Sequence, residues 1–258
     1  MTAPFASLSL DAEQITKALP EAARARLGGI EVVDETASTN DILYDDDARD
    51  RVQVARRQTG GRGRQGRNWE TADGALCFSV LHNFPAGTPA ALALWVGIVL
   101  VERLREMGLG RPCLNWPNDL MYGDAKFGGI LTECRTRDGQ TCCVVGVGIN
   151  VENVPEVDRS ATSIVHACGQ RPDSNRLAAG LIEAVSDCLV RLDDGASGEL
   201  KAYFALHDGL KDCEVRVTAS NQTYTGRALG VDDRGCLQVE GEGGVRLFDS
   251  ADVRLHRQ

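Results

Sequence analysis

The stretch Gly60-Gly61-Arg62-Gly63-Arg64-Gln65-Gly66-Arg67, the glycine-arginine loop, combines four glycines with three arginines and contains no acidic side chain. Glycine lacks a Cβ and adopts backbone conformations that other residues avoid, so its N–H groups can lie against a ligand. Arginine offers a planar fork that suits phosphate or carboxylate. The composition therefore indicates an anion-binding site, with a solvated basic surface loop as the alternative.

The chain on both sides of this loop excludes the two best-known glycine loops. Gly61, Gly63 and Gly66 satisfy G-x-G-x-x-G, but a dinucleotide-binding turn opens a helix, and this loop leads past Trp69 into the strand-like run from Ala75 to His82. A P-loop is excluded because no Lys-Ser or Lys-Thr pair closes the run. Since residues 51–57 also alternate like a strand, the loop is expected between two strands.

Composition limits the class of protein. The chain has 258 residues, 43% of them hydrophobic, which is ample for a core, and its net charge of -9 argues against general nucleic-acid binding. Nine cysteines form no C-x-x-C pair, so they are predicted to be reduced and mostly buried, without a disulfide framework or a zinc site. No signal peptide is recognisable, and the apolar run 90–101 is too short to span a bilayer, so a cytoplasmic location is expected.

Local signals predict several elements before and after the loop. Asp11 is expected to cap a short helix that ends before Pro20, and residues 30–33 are expected to form a strand. Ser38-Thr39-Asn40 is predicted to cap a helix over residues 41–48, with contact to a ligand as the alternative. Thr88 as N-cap, Pro89 at the first position and Gly108 beyond the end are expected to frame a buried helix.

A second informative stretch is Trp116-Pro117-Asn118-Asp119, between two apolar strand-like pieces. An ordinary turn after proline is one interpretation. The other is that Asn118 and Asp119 hydrogen-bond a ligand or help to bind Mg²⁺, which prefers oxygen ligands.

Glycines also interrupt two predicted strands. Lys126 begins a run that contains Gly128 and Gly129, and after a predicted hairpin turn at residues 138–139 the run 146–150 again holds two glycines and Asn150. Because strand interiors seldom contain glycine, such positions indicate close approach of backbone or ligand, and Lys126 is placed to reach into that gap. A solvated lysine at a strand end is the alternative.

The last third of the chain changes character. A helix with an apolar face is predicted from Ser174, and a shorter one over residues 199–206. Short alternating strands follow at 214–217, 223–231, 236–239 and 245–249, with turns that include Asn221. This pattern predicts a small β-barrel and a division into domains 1–210 and 211–258.

Together these stretches resemble the biotin protein ligases. The residues that carry the resemblance over about residues 30–258 occur in the family's order: Ser38-Thr39-Asn40, Gln58, Gly61 to Trp69, Trp116 to Asp119, Lys126 with Gly128-Gly129-Ile130-Leu131, and Gly146 to Asn150. The resemblance implies an α+β fold, with a catalytic domain like that of class II aminoacyl-tRNA synthetases and an SH3-like C-terminal barrel.

The resemblance also implies a reaction. Biotin and MgATP would give biotinyl-5′-AMP and pyrophosphate, and a lysine of a biotin carboxyl carrier protein domain would then accept the biotinyl group. Lys126 and Arg64 are expected to be catalytic, with Mg²⁺ near Asn118 and Asn150. The expected binding residues are Ser38, Thr39, Asn40, Gln58, Gly61, Arg62, Gly63, Gln65, Gly66, Arg67, Trp69, Trp116, Asn118, Asp119, Gly128, Gly129, Ile130, Gly148 and Asn150. Arg62 and Arg64 would hold the biotin carboxylate and the adenylate phosphate.

The sequence departs from the family's pattern at Asn115, where most relatives have Lys or Arg, so the positive charge that the resemblance implies there is absent. Too few residues precede Ile30 for the DNA-binding domain of repressor-type ligases, so no DNA partner is expected; a homodimer is considered. Two alternatives remain open: a lipoate or octanoyl ligase, and a biotin-binding sensor with weak catalysis.

Overall fold

Twelve strands form two separate sheets in the computed structural model, which describes residues 8–44, 50–85, 87–137, 140–157, 160–195, 198–220 and 222–256. The strands are β1 Gly29–Thr36, β2 Arg51–Gln58, β3 Ala75–Phe84, β4 Cys113–Asn115, β5 Asp119–Tyr122, β6 Ala125–Arg137, β7 Gln140–Asn150, β8 Glu214–Ala219, β9 Gln222–Val231, β10 Leu237–Gly241, β11 Gly244–Phe248 and β12 Asp252–Leu255. The helices are α1 Ala12–Ala18, α2 Glu21–Arg26, α3 Thr39–Tyr44, α4 Leu92–Glu106, α5 Ile164–Cys168, α6 Ser174–Asp193 and α7 Leu200–Ala205. The α+β fold expected from the resemblance is confirmed.

The larger sheet has seven strands in the order β1-β2-β3-β7-β6-β5-β4. The β1–β2 pair is parallel and the other pairs are antiparallel, so the sheet is mixed. The long strands β3, β7 and β6 lie side by side at its centre, and their register aligns Cys77 with Gly148 and Gly148 with Gly129. Gly129 of β6 and Gly148 of β7 are therefore directly opposite each other in the sheet.

The two faces of this sheet differ in side-chain size. One face carries large buried residues, such as Phe78 and Ile149, in the core that also contains the apolar side of α4 and α6. Because side chains alternate along a strand, Cys77, Ser79 and Gly148 lie on the opposite face. Small side chains therefore make part of that face shallow, and α3 covers another part of it, where Leu43 packs on Leu81 and Val144.

Helix ends follow the local signals in three cases and depart from them in one. Asp11 caps α1 by accepting a hydrogen bond from the Gln14 N–H, and Asp173 caps α6 in the same way. Gly108 follows α4 with a φ of 75°, as expected for the residue that ends a helix. The predicted start of α4 at Thr88 and Pro89 is wrong, because the helix begins at Leu92 after Ala91, which has a φ of 55° and makes no side-chain cap.

The smaller sheet is antiparallel, in the order β11-β10-β9-β8-β12. Its alternating pattern buries Val215, Val217 and Val239. The last strand, β12, was missed by sequence reasoning because it is short and lies at the edge of the sheet.

The expectation that the cysteines form no disulfide is wrong for one pair. Cys134 and Cys143 are opposite each other on β6 and β7 and form a disulfide, with a Cα–Cα distance of 4.1 Å. Free cysteines in the described ranges, Cys77 among them, agree with the expected reduced state. The predicted turns at 138–139 and at Asn221, and the predicted helix residues 45–48, lie outside the described residues.

No helix among the described residues is long and apolar enough to cross a membrane.

Candidate active site

The glycine-arginine loop forms a narrow excursion between β2 and β3. The Trp69 N–H donates to the Gly61 carbonyl over 2.9 Å, and the Gly63 N–H donates to the Arg67 carbonyl over 2.7 Å. A single 3-10 turn over Arg64–Gly66 closes the tip, where Gly66 has a φ of 73°. The placement between two strands is therefore confirmed, and the internal hydrogen bonds give the loop a defined shape.

Glycines let neighbouring groups lie directly on the backbone below the loop. A Cβ on Gly148 would lie 2.6 Å from the Trp69 ring, and a Cβ on Gly129 would lie 3.4 Å from the same ring. A Cβ on Gly61 would lie 2.7 Å from the Trp69 carbonyl oxygen. Gly148 and Gly129, together with the small residues Cys77 and Ser79, form a strip of small side chains across β3, β7 and β6, called the trough below, and the Trp69 ring lies against it.

A chain of polar side chains lines one end of the trough. The Thr39 N–H and hydroxyl lie 2.8 Å and 3.1 Å from Gln58 Oε1. The Ser79 hydroxyl oxygen lies 2.6 Å from both Thr39 Oγ1 and Asn40 Oδ1. Thr39 and Asn40 are buried, and their side chains face the sheet although they begin α3. The helix therefore begins two residues earlier than predicted, and the Thr39 and Asn40 side chains bond to Gln58, Ser79 and Glu133 instead of capping it.

The same chain continues to the loop through Glu133 on β6. Asn40 Nδ2 donates to Glu133 Oε2 over 2.7 Å, and Arg62 Nη2 donates to the same oxygen over 3.0 Å. Arg62 Nη1 donates to Asp41 Oδ2 over 2.8 Å. These bonds, first the one to Asp41, hold the pKa of Arg62 above its usual value against the partial desolvation of the guanidinium.

Lys126 lies at the other end of the trough. Its Nζ is 2.5 Å from Asp119 Oδ1 and 5.4 Å from the centroid of the Trp69 ring, and it lies 3.3 Å from where a Cβ on Gly129 would be. The interpretation of Lys126 as a freely solvated strand-end lysine is therefore wrong. An ammonium that is largely buried beside a ring and a gap in the side-chain layer is a ready partner for an anion.

Arg64 and Arg67 connect the loop to the smaller sheet. Arg64 Nη2 donates to Ser250 Oγ over 2.8 Å, and Arg67 pairs with Asp252. Desolvation lowers the pKa of Arg64, as does Arg67, while Asp119 and Asp252 act in the opposite direction. The C-terminal sheet therefore touches the loop tip directly, and Arg64 is a partly desolvated cation within electrostatic reach of Asp119.

Other predicted site residues are placed at the edges of the trough or away from it. Asn118 Nδ2 donates to the Ile130 carbonyl over 2.7 Å, and Asn150 Nδ2 donates to the Thr162 carbonyl over 3.1 Å. Trp116 is buried, and its indole donates over 2.9 Å to the carbonyl of Gly235, in the turn between β9 and β10. Trp116 therefore contacts the C-terminal segment. Three other residues that were expected to bind the ligand are buried: Ser38, Gly128 and Ile130. Gln65, by contrast, is exposed at the loop tip.

Asn115, the departure noted in the sequence, lies at the junction with the C-terminal segment. A Cβ on Gly209 would lie 2.3 Å from Asn115 Oδ1 and 2.7 Å from Cys113 Sγ, so both side chains pack tightly there. Next to Gly209, burial raises the pKa of the Asp208 carboxyl to about 6, although the Leu210 N–H donates to it. The Asn115 side chain therefore lies against the Gly209 backbone, and its Oδ1 has no hydrogen-bond partner among the described residues.

Three residues of this network were missed by sequence reasoning: Asp41, Ser79 and Glu133. Glu133 follows the Gly128-Gly129-Ile130-Leu131 run, and the two-residue period of a strand places it on the same face as Gly129. Ser79 lies opposite Gly146 in the same way. Counting every second residue along β6 from Gly129 would therefore have predicted Glu133, and pairing β3 with β7 at Gly146 would have predicted Ser79.

Two family models match the chain in the two regions that form the sheets. The Biotin/lipoate A/B protein ligase family matches residues 29–150, and the Biotin protein ligase C terminal domain matches residues 214–255. Fold and site thus define a protein of the biotin and lipoate ligase class.

Individual relatives narrow this class. The biotin-[acetyl-CoA-carboxylase] ligase of Mycobacterium tuberculosis is 33% identical over 238 residues, covering 87% of this chain and 88% of the relative. The bifunctional ligase/repressor BirA of Salmonella typhimurium is 32% identical, covering 95% of this chain and 78% of the relative, whereas only 65% of the Escherichia coli BirA is covered. The structure of the Aquifex aeolicus biotin protein ligase in complex with biotin and ATP superposes with a TM-score of 0.80 at 26% identity, covering 89% of this chain and all of that chain. The chain belongs to the biotin protein ligase family and is an enzyme.

Proposed function

We propose that the protein forms biotinyl-5′-AMP from biotin and ATP and transfers the biotinyl group to a lysine of a carrier domain of a biotin-dependent carboxylase. The observation that carries this proposal is the trough under the glycine-arginine loop, with amides and hydroxyls at one end and Lys126 at the other. Relatives named as biotin ligases and a superposable structure with biotin and ATP support the same assignment.

The polar end suits the ring system of biotin, a neutral urea with donors and an acceptor. Thr39, Asn40 and Gln58 present amide and hydroxyl groups that are already ordered, Thr39 and Asn40 by Ser79 and Gln58 by Thr39. The aliphatic chain of biotin would then run along the trough toward Lys126. A preordered polar pocket favours binding because little side-chain freedom remains to be lost.

The first reaction step joins two anions. An oxygen of the biotin carboxylate attacks the α-phosphorus of ATP, a new P–O bond forms, and pyrophosphate leaves with the electron pair of the broken bond. Lys126 and Arg64 are the cations that would neutralise the charge on the carboxylate and the α-phosphate. Asp119 orients Lys126 before the ligand arrives. Trp69, whose ring lies on Gly148, would pack against the adenylate.

The second step transfers the acyl group. The neutral amine of a carrier lysine attacks the biotinyl carbonyl, an amide forms, and AMP leaves. Between the two steps the mixed anhydride has to be protected from water. The glycine-arginine loop, whose tip is held by Ser250 and Asp252 of the smaller sheet, would cover it.

Magnesium would enter with the nucleotide. Asn150 is buried, and its Oδ1 has no hydrogen-bond partner among the described residues, which fits an oxygen donor to a cation. The amide nitrogen of Asn118 is engaged by Ile130, which leaves its oxygen as the remaining acceptor. No group of three His, Cys, Asp or Glu ligands occurs in the described ranges, so phosphates and water would supply the other ligands.

The transfer is tested by incubating the protein with biotin, MgATP and a purified carrier domain, and locating the biotinyl group by mass spectrometry. Modification of one lysine is expected, and a carrier with that lysine changed to arginine is the control. A wild-type carrier that remains unmodified, with octanoyl or lipoyl groups transferred instead, would contradict the proposal. The absence of a DNA partner, a homodimeric state and a cytoplasmic location stay predictions from the sequence.

A further inference from the structure

Arg62 differs from the other cations of the site in its counter-ions. Its guanidinium donates to two carboxylates, Asp41 over 2.8 Å and Glu133 over 3.0 Å, and both bonds come from its terminal nitrogens. Arg64, in contrast, donates to a neutral hydroxyl on Ser250. One positive charge against two negative charges leaves no excess to attract a further anion.

The surroundings of Glu133 fix its ion pair with Arg62 in place. The same Oε2 atom accepts from Asn40, which touches Ser79 in the polar end of the trough. Glu133 lies on β6 beside Cys134, at the point where the disulfide joins β6 to β7. Its carboxylate is therefore held on a rigid strand and connects the biotin end of the trough to the base of the loop.

Anchoring the Arg62 side chain also positions the backbone of the glycine-arginine loop. Arg62 pairs with Asn68 across the excursion, and its neighbours Gly61 and Gly63 make the backbone bonds that set the loop's shape. Holding the Arg62 side chain on α3 and β6 thus fixes where the loop amides and Arg64 lie above the trough.

We propose that Arg62 is a positioning residue, anchored by Glu133 and Asp41, which orders the glycine-arginine loop and does not itself contact the reacting carboxylate or phosphate. This inference rests on the proposed function and assigns Arg62 a role different from the one that the family resemblance implies. Glu133 is a positioning residue of the same network, because it acts through Arg62 and Asn40.

The test compares the binding of biotin with that of its neutral alcohol analogue, in which a hydroxymethyl group replaces the carboxylate. Isothermal titration calorimetry gives the affinity for biotin divided by the affinity for the alcohol. This ratio is measured for the wild type and for Arg62→Ala, Glu133→Gln and Lys126→Ala. A residue that contacts the carboxylate sets this ratio. Because Arg62 also places Arg64, Arg62→Ala and Glu133→Gln are measured in the Arg64→Ala background, where a residue that only orders the loop weakens both ligands equally. Arg57→Ala, which removes an exposed arginine paired with Glu35, is the matched control.

In the Arg64→Ala background we expect Arg62→Ala and Glu133→Gln to weaken both ligands about tenfold, the effect of losing one hydrogen bond to a charged group, with the ratio within about twofold of Arg64→Ala alone. Lys126→Ala is expected to lower the ratio about tenfold. In the Arg62→Ala background, Glu133→Gln should have a smaller effect than in the wild type. A ratio that Arg62→Ala lowers in the Arg64→Ala background as far as Lys126→Ala lowers it would overturn the inference.

Two further results keep the inference separate from folding and from the proposed function. If Glu133→Gln does not fold, Asp41→Asn on the exposed side of the same pair takes its place, with the same expected ratio. Wild-type protein that binds neither ligand would reject the proposed function, whereas wild-type binding with a ratio that Arg62→Ala lowers further in the Arg64→Ala background rejects only the positioning role.

Discussion

Replacing Gly148 by alanine tests the central geometry of the trough. Gly148 lies on β7 between β3 and β6, so its backbone is held on both sides. The added methyl group would lie 2.6 Å from Cε2 and 2.7 Å from Nε1 of Trp69, closer than real Cβ contacts allow. Because the strand is fixed, the Trp69 ring has to leave its place.

The size of the effect follows from the cost of inserting a methyl group into a packed contact, roughly 1–3 kcal/mol. In a protein of this size, 1 kcal/mol shifts the melting temperature by about 2–4 °C, so a decrease of about 2–12 °C is expected. Displacing a group that positions the adenylate is expected to slow biotin-dependent pyrophosphate exchange about 100-fold.

Three measurements on Gly148→Ala follow the displacement: thermal unfolding, pyrophosphate exchange and tryptophan fluorescence. Trp95 and Trp116 are buried elsewhere, so a red shift of the emission reports on Trp69. Gly243→Ala is the control, since no heavy atom lies within 4 Å of the added methyl group. A variant that melts within about 1 °C of wild type and exchanges within about threefold of it would refute the contact between Trp69 and Gly148.

Three further substitutions give distinct outcomes. Lys126→Ala is expected to slow pyrophosphate exchange by roughly 100-fold or more, and a loss within about threefold would show that its charge is not used. Arg64→Ala removes the loop's hydrogen bond to Ser250, so free biotinyl-5′-AMP should appear in the filtrate of a rapid-filtration assay. Retention of the adenylate equal to that of wild type would contradict the covering role of the loop. The raised pKa of Asp208 means that its neutral form stabilises the fold, a contribution that is complete below a pH of about 4 and lost as the pH rises through about 6. Asp208→Asn should therefore melt above wild type at neutral pH but not near pH 4, and a difference that does not change with pH would contradict this.

Much of the site could be predicted because it depends on local chemistry. The glycine-arginine loop was expected between strands from the alternation on both sides of it, and the strand glycines indicated a close approach that Trp69 makes. Lys126 was placed next to that gap by its spacing from Gly128 and Gly129. Each of these inferences used residues within a few positions of one another.

The parts that could not be predicted depend on contacts between distant segments. Arg62 and Glu133 are 71 residues apart, and their pairing follows only from the order of strands in the sheet. The disulfide likewise needed the register that places Cys134 opposite Cys143. At α4 the local signal of Thr88 and Pro89 was outweighed by the packing of the apolar residues after Ala91. The direct contact of the C-terminal sheet with Arg64 and Arg67 had no local signal.

The most direct test of the account is exchange of labelled pyrophosphate into ATP by the purified wild-type protein, with biotin, lipoate, octanoate or no acid added. The trough and its cations predict exchange that depends on biotin and is lost in Lys126→Ala. Exchange with lipoate or octanoate but not with biotin, or tight binding of biotin without any exchange, would contradict the proposed adenylation of biotin.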